Sequence, residues 1–541
     1  MISKNNTWWQ SAVIYQIYPH SFKDSNGDGI GDLQGIIDKL DYLKGNPQSL
    51  DVDAIWISPI YPSPMADFGY DVANYVDIDP MFGDLETFDR LLEEAHQRDL
   101  RVILDFVPNH TSDEHPWFIE SKSSRDNPKR DWYIWRDAKA DGSPPNNWVS
   151  MFGGKAWTWD ENTEQYYLHL FHTKQPDLNW RNPEVKSAMT DVLRFWLARG
   201  VDGFRMDVVG FIIKDEALRD NPLSSENIDP SSLNEWYQLQ HKYDVDQPEV
   251  HDIIREFRAL HDEYDALTIG EIWAEPRSLW VEYYGKNLDG LHVPFNFDLL
   301  NKQWDARVFR QSVDEFEAAL QAGMWPNYVL GSHDISRLAT RCGKAAARVA
   351  AMLLLTLRGT PTLYMGDELG MVDGDIPLSK MQDPQGLNLG SDKSRDPCRT
   401  PLQWNAEQHA GFSSAEPWLP VAKGYEKHNV ISQLDEPHSI LNLYRRLLRL
   451  RKEQSVLQTG LYRAVETNEP SCFAYLRMSE QAHYLILLNF SNQELSPKLD
   501  LNYTNGHIVL STLMDRSGEI NINTLRLSPS EGLIIDVRSG Q

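Results

Sequence analysis

The chain has 541 residues, 41% of them hydrophobic and 24% charged, which excludes a fibrous repeat or a disordered polymer and allows an elaborated α/β barrel with a smaller accessory domain. A formal net charge of -27 repels nucleic acid and anionic membrane, so a neutral or cationic partner is expected, although many proteins of this size simply carry a solvated acidic surface. Three widely spaced cysteines, Cys342, Cys398 and Cys472, argue against a disulfide framework or a zinc knuckle and suit a reducing cytoplasm.

The opening segment MISKNNTWWQSAVIYQ has no apolar run behind a basic cluster and is not expected to act as a signal peptide. The run AVIYQIYP (12–19) follows, and then an Asp- and Gly-rich loop. There Asp24, Asn26, Asp28 and Asp32 place oxygen donors at alternate positions and Gly29 permits the turn, as in calcium loops. Gly35 stands where an EF-hand carries its bidentate Glu, so the loop is not an EF-hand, and a metal-free Asx-rich turn is the competing reading. AIWISPI (54–60), a helix over 85–98 and RVILDFVP (101–108) come next.

Residues 106–180 are too many for a plain loop and rich in Pro, Gly, Asn and Trp, which predicts an inserted subdomain. It holds seven of the chain's 18 Trp; such rings can pack against sugar faces, but most are expected to serve a small irregular core. A helix over 183–199 leads to GFRMDVV (203–209), LTIGEIW (267–273), HVPFNFDL (292–299), NYVLGSHD (327–334) and TPTLYMGDE (360–368). The apolar stretch 345–357, interrupted by Arg348, is too short to span a bilayer and reads as core. After a helix over 440–452, the alternating runs SCFAYLRM, HYLILLNF, HIVLSTL and GLIIDV predict an antiparallel β domain with a structural role.

These alternating runs predict an α/β fold with a parallel sheet. A closed barrel is preferred to a doubly wound sheet because Asp105, Arg205, Asp207, Glu271, His333 and Asp334 all fall at or near the C-terminal ends of their runs, which converge on one mouth in a barrel. The expected architecture is a (β/α)8 TIM barrel over 1–105 and 181–455, a subdomain inserted after strand 3 at 106–180, and a C-terminal antiparallel β domain at 456–541.

Two acids at neighbouring strand ends can hydrolyse an acetal with retention, one as nucleophile and one as acid/base, when about 5 Å apart. Asp207 follows Arg205 by two residues on a strand, so both side chains face one side and the guanidinium can hold the aspartate ionised for attack. Glu271 ends an apolar strand beside Ile272 and Trp273, where desolvation is expected to keep it protonated as the acid. Asp334 is the third carboxylate, placed to accept hydrogen bonds from sugar hydroxyls, with His333 as a donor beside it. Singly, such residues are more often caps or ion-pair partners; the constellation is what points to catalysis.

DFVPNH (105–110), GFRMDVV, GEIW (270–273) and SHD (332–334) occur in order and closely resemble the four signature regions of the α-amylase family, glycoside hydrolase family 13; QPDLNW (175–180) is similar to its fifth. The resemblance implies the barrel, the inserted domain and the β-sandwich, with Asp207, Glu271 and Asp334 as catalytic triad. Ser332 stands where the family usually has Asn, so a tuned site is expected. Asp67 in DFGYDV and Arg399 in RDPCRTPLQW match positions that form a glucose-clamping ion pair in the oligo-1,6-glucosidase and α-glucosidase branch. That clamp implies a closed pocket and exo action, with Tyr70 against the glucose face and His110, Phe152, Phe171 and Gln175 lining the pocket.

Val208, directly after the nucleophile, resembles the 1,6-specific members, whereas the segments 210–222 and 368–386 resemble broad-specificity or 1,4-acting enzymes. The resemblance also implies a structural calcium or magnesium at Asp24, Asn26, Asp28, Asp32 and the carbonyl of Ile30, and no organic cofactor. The expectation is a cytoplasmic exo-α-glucosidase, monomeric or weakly dimeric, that takes neutral short α-glucosides and can transfer glucose. The alternatives are a disaccharide isomerase or transglucosidase of trehalose synthase or sucrose isomerase type, or a non-catalytic binding relative.

Overall fold

The computed structural model describes residues 7–224, 235–273 and 276–537. Three parallel strands open the chain: β1 (Ile14–Ile17), β2 (Ala54–Ile57) and β3 (Arg101–Phe106). β1 and β2 are buried along their whole length, as strands covered on both faces must be, which is why they read as unbroken apolar runs. The insertion after β3 carries a small antiparallel sheet of β4 (Trp135–Arg136), β5 (Trp157–Asp160) and β6 (Gln165–Leu168), in the order β4-β6-β5.

The barrel then resumes with β7 (Gly203–Met206), β8 (Leu267–Gly270), β9 (Val293–Pro294), β10 (Asn327–Val329) and β11 (Thr360–Tyr364). The eight barrel strands lie in the order β10-β11-β1-β2-β3-β7-β8-β9, an almost closed parallel barrel built from the eight runs expected from the sequence. β9 is far shorter than the run HVPFNFDL, because Pro294 has no N–H to extend the ladder.

The helices follow local rules. α1 (Leu85–His96) starts where Asp84 accepts the Thr87 N–H, and it buries Phe88, Leu91, Leu92 and Ala95 along one face. α2 (Pro183–Arg199) has an Asn182 cap, Pro at its first position, and Gly200 at φ 109 ending it in the left-handed conformation that favours Gly. α3 (Val250–Glu263) precedes β8. α4 (Lys344–Thr356), buried on most of its circumference, lies between the barrel and the C-terminal domain, and α5 (Ile440–Glu453) packs beside it. Two fully buried arginines, Arg451 and Arg477, donate to carbonyls at the end of α4 and the segment after it, including Leu355 at 2.9 Å from Arg451.

The C-terminal domain is an antiparallel sheet of β12 (Leu461–Val465), β13 (Cys472–Met478), β14 (His483–Asn489), β15 (Asn505–Ser511), β16 (Gly518–Asn521) and β17 (Gly532–Asp536), in the order β12-β13-β14-β17-β15-β16. The two edge strands, β12 and β16, escaped the sequence reading because they are short and their alternate residues, Leu461 and Arg463 in one and Glu519 and Asn521 in the other, are exposed. The facing layer consists of short segments joined by single bridges at Thr467–Leu499 and Leu495–Leu527, closing a separate core around Leu485, Leu487 and Leu527.

The insertion is pinned to the barrel by buried charge. Lys214, in the loop after β7, sits 2.8 Å from Asp177 of the insertion and donates to Asn109 Oδ1 at 2.7 Å, with all three residues essentially inaccessible. Removing one partner of such a pair strands the other charge, so Lys214→Met is expected to lower stability by about 3–5 kcal/mol. The urea midpoint of the first unfolding transition measures this, and an unchanged midpoint would refute the pinning role.

Candidate active site

The strand register sets the centre of the site. Asp105 on β3 pairs with Arg205 on β7, and the ladder continues past the strand ends through Asp207 N–H to Phe106 O (2.8 Å) and Glu271 N–H to Met206 O (2.9 Å). Four charged side chains therefore meet at the barrel mouth. Arg205 Nη1 donates to Asp105 Oδ1 at 2.8 Å and to Asp207 Oδ1 at 2.7 Å, while its Nη2 donates to Glu271 Oε2. The Glu271 carboxylate also accepts from the Val208 N–H at 3.3 Å and from the Trp273 indole at 2.7 Å. Glu271 is thus held by a cation and two N–H donors, where the sequence had suggested mainly apolar neighbours.

Burial pushes the Asp207 carboxyl well above the usual carboxylate range; Arg205 pulls it back, and the charges of Glu271 and Asp105 push it further up. Burial likewise raises Asp105 to about 6 against the pull of Arg205. Asp105 and Asp207, both raised and both bound to one guanidinium, titrate as a linked pair rather than as separate residues.

Asp334 lives under different electrostatics. Burial opposes its ionisation, but His333, Arg395 and Arg399 hold it well below the ordinary carboxylate range. Arg399 reaches it at 2.9 Å and Arg395 at 3.3 Å. The Ser332 hydroxyl accepts the Asp334 N–H at 3.2 Å, the local turn bond that an Asn side chain could also make. His333 is kept neutral, pushed down to about 3 first by burial and then by the nearby arginines, against Asp334. Its Nδ1 lies 2.7 Å from Gln16 Nε2 and its Nε2 lies 2.9 Å from the Tyr70 hydroxyl, which donates to Asp105 Oδ2 at 3.0 Å. The Tyr70 and His333 rings are stacked with centroids 5.5 Å apart.

Asp67, Tyr70, His110, Phe152, Phe171, Asp207, Val208, Glu271, His333 and Asp334 line one pocket of 170 Å³. Gln175, Arg205 and Arg399 lie outside that lining: Gln175 donates to Asp67 Oδ2 at 3.1 Å, and Arg399 donates to the His333 carbonyl at 2.7 Å. The expected Asp67–Arg399 ion pair is corrected. Asp67 is bound by Arg395 at 2.8 Å, and Asp383 shares the same nitrogen at 2.7 Å. Arg395 and Arg399 stand at opposite ends of the short turn Asp396–Arg399, so the first faces the pocket and the second is committed to the backbone and carboxylate beneath it.

Sequence reasoning also missed Met151, Tyr237, Trp273, Ile335 and Gln385 in the lining. Trp273 stands in GEIW, Arg395 opens RDPCR, Ile335 directly follows SHD and Gln385 lies within 368–386, so those four had a signal; Met151 and Tyr237 had none. Trp273 is the one Trp in the lining, and it stacks on Phe297 at 4.8 Å. Most tryptophans of the insertion are buried, Trp148 and Trp157 in a local cluster and Trp132, Trp135 and Trp180 in the large core that continues through the barrel. Val208 adopts φ 36, a left-handed conformation strained for a β-branched residue.

The loop carrying Asp24, Asn26, Asp28, Ile30 and Asp32 is knitted by its own backbone. Asp24 accepts the N–H groups of Asn26, Gly27 and Gly29, Asp28 accepts that of Ile30, and Asp32 accepts those of Ser25 and Gly35. Among the described residues no three His, Cys, Asp or Glu side chains converge to hold a metal ion.

A buried pair of carboxyls on one arginine, in a pocket at the C-terminal mouth of a parallel barrel, is an arrangement suited to glycoside hydrolysis. The family model for the alpha amylase catalytic domain matches residues 16–460, and the chain belongs to that family. It is 44% identical over 536 residues to a probable alpha-glucosidase of Rhizobium meliloti (strain 1021), covering 95% of this chain and 96% of that one. It is 40% identical over 529 residues to an oligo-1,6-glucosidase of Heyndrickxia coagulans, covering 90% and 93%. The solved structure of the alpha-glucosyl transfer enzyme XgtA superposes with a TM-score of 0.91 at 42% identity, over 99% of this chain and 100% of that one.

Arg205→Gln removes the cation that opposes the upward shift of Asp207. Because attack requires an ionised nucleophile, the acidic limb of the kcat/KM profile for glycoside hydrolysis is expected to move to higher pH by roughly one unit or more. A variant whose limb stays in place, with only the plateau lowered, would show that Arg205 acts by position alone.

Proposed function

We propose that the protein is a retaining, exo-acting α-glucosidase that releases glucose from the non-reducing end of short neutral α-glucosides. The observation that carries this reading is the sharing of Arg205 by Asp207 and Glu271 at the bottom of a pocket bounded by the Asp67–Arg395 pair. Two carboxyls on one guanidinium fit the roughly 5 Å separation of retaining pairs better than the roughly 6.5–9.5 Å that an inverting pair needs for its water.

In the first step Asp207 attacks the anomeric carbon while Glu271 gives its proton to the departing glycosidic oxygen, leaving a glucosyl ester on Asp207. In the second, Glu271 takes a proton from water, and the resulting hydroxide oxygen replaces Asp207 at the same carbon, restoring both carboxyls. Asp334, kept ionised by its arginines, is suited to accept hydrogen bonds from sugar hydroxyls throughout. Asp67 and Arg395 at the pocket wall favour a terminal glucose over the interior of a polymer.

A sugar hydroxyl can take the place of water, so transglucosylation is the second reading, favoured by the likeness to the alpha-glucosyl transfer enzyme and by the apolar Val208, Tyr237, Trp273 and Ile335 in the lining. Linkage is left as 1,4, 1,6 or both, and the protein as a monomer or weak homodimer. A cytoplasmic setting is supported by three unpaired cysteines, and among the described residues no helix is long and apolar enough to cross a membrane.

Purified protein incubated separately with maltose, isomaltose, sucrose and trehalose is expected to release glucose from maltose, isomaltose or both, with Glu271→Gln slower by about 10²–10⁴-fold. Rearranged disaccharides with little net glucose would replace hydrolysis by the isomerase or transferase reading, and no turnover of any glucoside would remove the enzyme reading.

The loop at Asp24–Asp32 is further proposed to hold a calcium or magnesium ion. Its alternating oxygen donors support this, and Asp28 remains exposed to complete a site when the ion binds. With the loop outside the catalytic pocket, chelation by EDTA is expected to lower Tm, calcium to restore it, and kcat to remain unchanged. A Tm indifferent to both would leave an Asx-rich loop closed by its own backbone.

A further inference from the structure

α5 carries Arg445, Arg446 and Arg449 within little more than one helical turn. Two cavities of 440 and 250 Å³ share Arg445 and Arg449 as walls; the larger is completed by Lys44, Arg98 and the loop 45–51, the smaller by Arg446, Asn442 and Pro437. The loop leads into β2 and Arg98 leads into β3, so the groove lies at the N-terminal end of the barrel strands, away from the catalytic mouth.

Lys44 and Arg98 have carboxylate partners, but the three helix arginines make no ion pair among the described residues. Asp51, in the wall of the larger cavity, is taken by Lys452 at 2.7 Å, and Arg98 is held by Asp41 and Glu94 at 2.9 and 2.7 Å. Arg445 donates to Asn442 at 2.6 Å and to the Pro47 carbonyl at 2.9 Å, neither of them a charge. Arg446 and Arg449 are exposed and make no ion pair or hydrogen bond among the described residues. Burial, and then the charge of Arg449, lower the proton affinity of Arg445. In a chain with 79 acidic and 52 basic residues, three guanidinia crowded on one turn without a carboxylate are a local exception that an anion would neutralise.

We propose that this groove binds a small multivalent oxyanion of the di- or polyphosphate class. Planar guanidinium forks match phosphoryl oxygens two at a time, and two adjoining cavities accommodate more than one phosphoryl group. The acidic surface beyond the groove disfavours a long polyanion such as nucleic acid. Bound anion ties α5 to the loop before β2, so its effect is on stability rather than on turnover.

Sodium tripolyphosphate titrated into the purified protein, with sodium chloride at matched ionic strength as control, is expected to raise Tm by roughly 2–4 °C and then saturate. The double variant Arg446→Gln/Arg449→Gln is expected to lose the saturable rise while retaining wild-type kcat and a starting Tm at least as high, since mutual repulsion is relieved. An equal rise with sodium chloride, an undiminished rise in the variant, or no rise in the wild type overturns the proposal. So does a fall in the variant's mass by light scattering with the anion response intact, which would make the groove a seat for an acidic face of a second copy.

Discussion

Arg205 is the interaction on which the site depends. Its side chain is 2% exposed and touches Asp105, Asp207 and Glu271, whose side chains are 0%, 10% and 8% exposed. Carboxyls so removed from water are costly to ionise, and the guanidinium makes ionisation tolerable for some of them but not for all. Its planar fork also fixes where they stand. The barrel supplies what the fork requires: adjacent parallel strands in a register that sets Asp105 beside Arg205 and carries Asp207 and Glu271 just past the strand ends.

A second layer holds this centre still. Asp105 accepts from Trp56 at 3.1 Å and from Tyr70, which is bonded through neutral His333 to Gln16. The acids of the mouth thereby fall into two electrostatic compartments. Asp105, Asp207 and Glu271 share one cation, and burial raises the first two against its pull. Asp334, faced by Arg399 and by an Arg395 that it shares with Asp67 and Asp383, is held ionised and suits hydrogen bonding to sugar hydroxyls on the proposed reading. Residues of one type thus acquire different chemistry from the cations that face them.

The barrel was legible because its strands are buried on both faces and so read as continuous apolar runs, and the acids were legible because they terminate those runs. Edge strands β12 and β16 were not, since half their residues face water. The mistaken partner for Asp67 has a geometric cause: Arg395 and Arg399 lie in one short motif, and spacing cannot tell which end of a tight turn faces the pocket. Met151 and Tyr237 carry no local pattern and join the lining only through the fold, whereas Ile335 directly follows SHD and Gln385 lies within 368–386.

The division between strand ends and loops separates chemistry from selectivity. Asp207 and Glu271, the proposed nucleophile and acid, are fixed by the barrel ladder, Phe152 and Phe171 by the insertion that Lys214 pins, and much of the remaining lining by connecting segments. Val208 crosses that division. It lines the pocket, follows the nucleophile directly, holds a strained φ of 36°, and its N–H lies 3.3 Å from the Glu271 carboxylate. A substitution there that relaxes the backbone would move a hydrogen-bond donor of the acid/base along with the pocket wall. On the proposed roles of Asp207 and Glu271, one peptide unit thus joins the pocket wall to the acid/base carboxylate.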